Sequence, residues 1–206
     1  MDVIIHYNLM TVPSVIAFSG KIGSGKDYLA ANVLPKVLNE LYGPVDIGHI
    51  ALADHLKYEL AARNPDLTYE QLFVDKPAHV RNMLQQYGTE QGRDRHGDDV
   101  WIRAIGMRMT VDRNRHSNER PLIFVVTDAR YENEVLFFEQ LTGGIVIRVN
   151  APERTAAKLK AEKTEHLASH RSEISLDSYK FSFSIDNDPI HEANVASQLK
   201  TILQHK

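Results

Sequence analysis

Apolar residues fall along the chain in two rhythms. Short, nearly unbroken runs occur at SVIAFS (14–19), VDIGHIALA (45–53), PLIFVVTDAR (121–130), GIVIRVN (144–150) and FSFSID (181–186), and each predicts a strand. Between them the apolar positions recur every three or four residues, the spacing of one helix face. Leu29, Val33, Leu34, Val37, Leu38 and Leu41 follow that spacing, with Pro35 predicting a kink or break and Gly43-Pro44 an end. Further helices are predicted over 53–64, from 78 to about Gly88, over 98–114 with Trp101, Ile105 and Met109 on one face, over 133–141, and over 190–204 with Val195, Leu199, Ile202 and Leu203 inward. Strands that alternate with helices and lack a polar face imply an α/β domain: a mostly parallel five-stranded sheet with helices on both faces. Residues 151–180 are polar and of mixed charge and read as a helical lid. No composition shift marks a second domain.

Composition narrows the class. The 206 residues are 43% hydrophobic, enough for one well-buried domain. The net charge of -3 gives no basic field for nucleic acid. There is no cysteine, so no disulfide framework and no thiolate chemistry, which fits a reducing cytoplasm. No apolar run approaches the roughly 18 residues of a membrane span. The start, MDVIIHYNLMTVPS, lacks a basic leader and a long apolar core, so no signal peptide is expected.

The candidate chemistry begins at FSGKIGSGKDYLA (18–30). Gly20, four residues, then Gly25-Lys26 is the spacing of a phosphate-binding loop between strand and helix. Such a loop, here with Gly23 and Ser24 inside it, turns backbone N–H groups toward phosphate oxygens, and Lys26 reaches the β and γ phosphates of ATP. The motif should close with Ser or Thr on magnesium, yet Asp27 stands there. A carboxylate in a first helical turn gains about 0.3–1 kcal/mol from the helix dipole. About 4 Å from a bare phosphate it loses about 4 kcal/mol at an effective dielectric of about 20. Repulsion wins unless a cation lies between, so Asp27 either faces magnesium or caps the helix and points away.

Asp128 ends the third strand, where a second magnesium-linked carboxylate or a helix cap is expected. Arg130 follows it at the sheet edge where open α/β folds bind ligands. Arg81 and Gln85, four apart, share one helix face beside Asn82, Gly88 and Thr89. Arg can grip a phosphate and Gln can read a base edge, although an ordinary amphipathic helix has the same spacing. Trp101 is core by default or a ring over a ligand. The arginines at 103, 108, 113, 115 and 120 read as a solvated face. No zinc motif, no Gly-x-Ser-x-Gly elbow and no Asn-Lys-x-Asp guanine motif occurs.

Taken in order, FSGKIGSGKD, ALADHLK, MLQQYGTEQGR, DDVW and VTDARYENE resemble the deoxynucleoside monophosphate kinases of tailed bacteriophages, over about residues 14 to 190. The resemblance implies a P-loop kinase fold and magnesium-dependent transfer from ATP to a deoxynucleoside monophosphate, in the host cytoplasm and as a homodimer. It puts Ser24, Lys26 and Asp27 on the donor side, with Asp27 and Asp128 toward the metal. It puts Lys57, Arg81, Asn82, Gln85, Gly88, Thr89, Trp101 and Arg130 on the acceptor side, within a helical insertion over about 53–118 and the motif after the third strand. Arg154 and Arg171 become lid cations, and Asn187 and Asp188 a border for the adenine. Relatives often carry Thr after the loop Asp, where this chain has Tyr28. Animal-type phosphomevalonate kinases share the loop and the stretch SEISLDSYKFSFSIDND (172–188). A partner-driven ATPase is the reading from a different class.

Overall fold

A computed structural model describes residues 11–188 and 192–205. The sequence positions 1–10 and the first two residues of the expected last helix, 190–191, lie outside the described residues. All five expected strands form: β1 (Val15–Ser19), β2 (Asp46–Ile50), β3 (Leu122–Ala129), β4 (Gly144–Asn150) and β5 (Phe183–Asp186). They pair in parallel in the order β2-β3-β1-β4-β5. β1 lies in the centre, and the order of connection reverses on either side of it.

The unbroken apolar runs are explained by burial on both faces. Ile16 and Phe18 of β1 pack with Ile123, Val125, Ile147 and Ile185 against the helices at 26–42 and 192–204, whereas Val15 and Ala17 pack with Phe124, Val126 and Val146 on the opposite face. The first helix, α1, consists of Lys26–Tyr28, a π turn over Leu29–Val33 and Leu34–Tyr42. The kink expected at Pro35 takes the form of that π turn. Leu34 N–H reaches back five residues to the Leu29 carbonyl, which widens the helix just before the proline ring needs room. The remaining helices are α2 (Ala53–Arg63), α3 (Ala78–Gln86), α4 (Val100–Arg115), α5 (Glu132–Gln140), α6 (Pro152–Glu162), α7 (Arg171–Ile174) and α8 (Glu192–Gln204).

The helix expected to stop near Gly88 does not. It continues from α3 through a π turn, Tyr87–Arg93, and a short piece, Asp94–His96, before Gly97 turns it at φ 89°. A π turn carries one residue more than an α turn. Within it, the Gly88 carbonyl also accepts the buried indole N–H of Trp101 at 3.1 Å. Trp101, Ile105 and Met109 are all buried on the core face of α4, as their spacing predicts. The 151–180 segment is α6, a 3-10 turn over Glu165–Ser169 and α7, and its Lys158, Glu162, Leu167, His170, Ser172 and Glu173 line the central cavity. No helix among the described residues is long and apolar enough to cross a membrane.

Candidate active site

The turn from β1 into α1 brings Gly20, Gly23, Ser24, Gly25, Lys26 and Asp27 together at the C-terminal edge of the central strand. Gly25 has φ 86°, and a Cβ there would meet Arg154 Nη2 at 2.5 Å and Asn187 Nδ2 at 2.7 Å. At Gly20 a Cβ would meet the Val149 carbonyl at 2.8 Å. Both positions therefore require glycine. None of the described residues accepts the backbone N–H groups of Gly25, Lys26 or Asp27, which open at the start of α1. Three free donors at a helix N-terminus favour an anion. The Ser24 hydroxyl is buried and lacks a partner among the described residues.

Lys26 is buried, 3.5 Å from the Asp27 carboxylate. Burial, and next the charge of Arg130, push its ammonium below the usual lysine range, against the pull of Asp27 and Glu173. The cavity wall withdraws water from Asp27 and raises its carboxyl. The Lys26 ammonium and a hydrogen bond with Thr127 outweigh this and hold it below the usual carboxylate range. Its side chain is open to the cavity, so one ionised carboxylate faces the space beside the loop.

That space is a cavity of about 700 Å³ reaching from the loop to α2, α3, α4, α6 and α7. Lys57, Arg81, Gln85, Gly88, Thr89, Trp101, Asp128 and Arg130 all line it. Arg81 Nε donates to the Lys76 carbonyl at 2.7 Å and Nη1 to Glu162 of the lid at 3.1 Å. Lys57 pairs with Asp54 at 2.8 Å. Asn82 is a correction. It is exposed and takes no part in the cavity, because one residue along a helix turns about 100° away from the face that Arg81 and Gln85 share.

Asp128 is deeply placed, and its carboxylate caps α2. Its two oxygens accept the N–H groups of Leu52 and Ala53, both at 2.9 Å, and burial pushes its pKa up. The helix after β3 has its own cap, with Glu134 accepting the Tyr131 N–H in a capping box. Of the two carboxylates expected toward a metal, Asp27 alone presents an open one. Arg154 and Asn187 lie behind the loop and outside the cavity. Arg154 donates to the Gly23 carbonyl at 2.9 Å and also to that of Ser24, which Asn187 reaches at 2.9 Å. Asp188 accepts the Glu153 N–H at 2.8 Å at the start of α6. Arg171 is exposed, with its guanidinium 5.6 Å from the Tyr131 ring, away from the loop. Tyr28 points outward to Glu192 at 3.1 Å.

No protein-family model and no curated protein sequence matches the chain. Among solved structures it is similar to a shikimate kinase from Acinetobacter baumannii in complex with shikimate, at 15% identity and a TM-score of 0.47, over 96% of this chain and 96% of that one. It is also similar to a shikimate kinase from Aquifex aeolicus, at 13% identity and a TM-score of 0.43, over 92% of this chain and 95% of that one.

Several groups in the cavity escaped the sequence. Arg93 is buried and paired with Glu134, its guanidinium 3.9 Å from the Tyr131 ring. Glu134 is pushed up to about 7 because burial outweighs the attraction of Arg93. Lys76 faces the cavity and is lowered by burial and by Lys57 beside it. Lys158, Glu162 and Glu173 enter from the lid. Each partner comes from a distant part of the chain, so no local spacing announces them.

Proposed function

We propose that the protein is a nucleoside monophosphate kinase that moves the γ-phosphoryl group of ATP onto a deoxynucleoside monophosphate. One observation carries this: the phosphate loop does not stand over a shallow groove but shares its cavity with a second wall, where Arg81 and Gln85 face inward above Leu56, Leu84 and Trp101. A cation, an amide and an apolar floor suit a phosphate, a base edge and a base ring in turn. The ordered resemblance in sequence to phage deoxynucleotide kinases points the same way.

In the reaction, an oxygen of the acceptor phosphate attacks the γ-phosphorus, and the bond to the β–γ bridging oxygen breaks, giving ADP and the diphosphate. The acceptor is already largely ionised, with a second pKa of about 6, so no strong general base is required. The difficulty is bringing two anions together, and phosphoryl transfer is mostly positioning and charge stabilisation. Lys26 and the free N–H groups of the loop hold the donor. Arg81 orients the acceptor phosphate, and Arg130, next to Lys26, faces the junction. Asp128 positions α2 and with it Lys57. Arg154 and Asn187 fix the loop from behind. The open, ionised Asp27 carboxylate beside the loop fits a magnesium ion, directly or through water. When bound, that ion would neutralise charge on the phosphates.

The test is ADP release from ATP and magnesium with each deoxynucleoside monophosphate, each ribonucleoside monophosphate, phosphomevalonate, or no acceptor. Release dependent on a deoxynucleoside monophosphate is expected. Release only with phosphomevalonate, or without any acceptor, overturns the proposal. Asp27→Asn should raise the magnesium concentration for half-maximal rate about tenfold, equivalent to about 1.4 kcal/mol, with a smaller change in metal-free nucleotide affinity. An unchanged metal titration removes Asp27 from that role.

A further inference from the structure

The stretch SEISLD (172–177) opens the segment shared with phosphomevalonate kinases and carries a buried carboxylate. We propose that Glu173 within it is a positioning residue for phosphoryl transfer, acting through Arg130 and the phosphate loop. Glu173 sits on α7 and is buried. One oxygen pairs with the Arg130 guanidinium, and the other accepts the Ile22 N–H from the first half of the loop at 2.9 Å. A single carboxylate thus ties the lid, the loop and the segment after β3.

Arg130 needs such a tether. Its backbone N–H is fixed by Glu134 at 2.7 Å, but among the described residues only Glu173 holds its guanidinium. The Arg130 charge disfavours the buried Lys26 ammonium, and Glu173, paired with Arg130, opposes that effect at Lys26. Without the carboxylate, the flexible arginine stem would carry its charge toward solvent. Glu173 is also held from its own side: the His170 imidazole accepts the Ser172 N–H at 3.2 Å and caps α7.

A carboxylate on a phosphate loop could instead occupy the phosphate's own place. The geometry argues against this. Glu173 takes the Ile22 N–H, whereas the free donors are those of Gly25, Lys26 and Asp27 at the helix start. Behind it, Glu173 lines a small void with Ser19, Gly20, Arg148 and Leu176, on the side of the turn away from those donors. Glu173 and a bound phosphate therefore sit on different parts of the loop, with Arg130 reaching from one to the other.

The inference rests on the kinase reading, and its test separates the two. Glu173→Gln, Arg130→Lys and the double variant are compared. Each single variant is expected to lower kcat about tenfold to a hundredfold, with the acceptor KM changed less than about threefold. In calorimetry without any acceptor, the preference for ATP over ADP should fall about fivefold in each. The double variant should be no worse than Arg130→Lys alone, because both changes remove one function. A purely structural role would instead add in the double variant and shift both KM values. Additive losses, an unchanged ATP preference, or tighter ATP binding in Glu173→Gln overturn the proposal, the last by showing that the carboxylate competes with phosphate. If no acceptor supports ADP release in the wild type, the kinase reading falls, while the calorimetric cycle still decides on Glu173. Should Glu173→Gln not fold by circular dichroism, Glu173→Asp, which keeps the charge and shortens the reach, carries the same cycle.

Discussion

Lys26→Met is expected to reduce phosphoryl transfer by at least about 100- to 1,000-fold, the loss typical of removing one preorganised charge-stabilising donor. It should do so without unfolding the protein. The ammonium is buried next to the Arg130 charge, and both effects weaken its hold on its proton. Its charge therefore costs the ligand-free fold stability, and Asp27 at 3.5 Å offsets only part of that cost. Methionine has a similar length and no charge to desolvate, so thermal unfolding without nucleotide should stay level or rise. The sign can be read from pH as well. Folded wild-type protein binds this proton less tightly than the unfolded chain does. Stability from the site therefore increases as pH climbs toward 10.5, and the methionine variant should lack that rise. Near-normal turnover in Lys26→Met would remove the loop from the donor site.

The second large effect is expected on stability, at the buried pair at the inner wall of the cavity. Glu134 pairs with Arg93 and also accepts the backbone N–H groups of Arg130 at 2.7 Å and Tyr131 at 3.1 Å. Glu134→Ala leaves a buried guanidinium without its counter-charge and two backbone donors without an acceptor. Breaking a buried pair on one side costs about 3–5 kcal/mol, which for a chain of this size lowers Tm by roughly 6–20 °C. The pH behaviour distinguishes this carboxyl from an ordinary one. With its pKa pushed up to about 7 by burial, the folded protein binds the proton more tightly than the unfolded chain between 4.5 and about 7. The site's contribution to stability therefore declines as pH rises through that window. Glu134→Gln, which cannot titrate, should flatten that decline, and urea unfolding at several pH values measures it. If the two proteins show the same slope, burial does not dominate at Glu134.

The local readings that held are those whose cause is local. Strands β1 and β3 were legible because burial on both faces demands apolar residues at every position. The glycine turn after β1 was legible because a tight turn needs Gly20 and Gly25 at a fixed spacing before Lys26. Arg81 and Gln85 reached the cavity together because a helix returns to the same face after four residues. The same rule already placed Asn82 elsewhere, so that misplacement had a signal in the sequence. The continuation of α3 past Gly88 had a weaker one. The glycine reads as a stop, yet the chain runs on through a π turn whose Gly88 carbonyl is held by Trp101 from another helix.

Two parts of the chain's account thus have different origins. The sequence alone determined the order of strands and helices, the glycine turn with its carboxylate at position 27, and which helix face carries the arginine and glutamine, because backbone geometry over a few residues dictates all three. Tertiary structure alone decided that Asp128 is used to cap α2, that Arg93 is buried against Glu134, and that Glu173 reaches from the lid to both Arg130 and the loop. A buried charge is tolerable only when a partner is brought to it, and the fold chooses that partner from segments the chain keeps far apart.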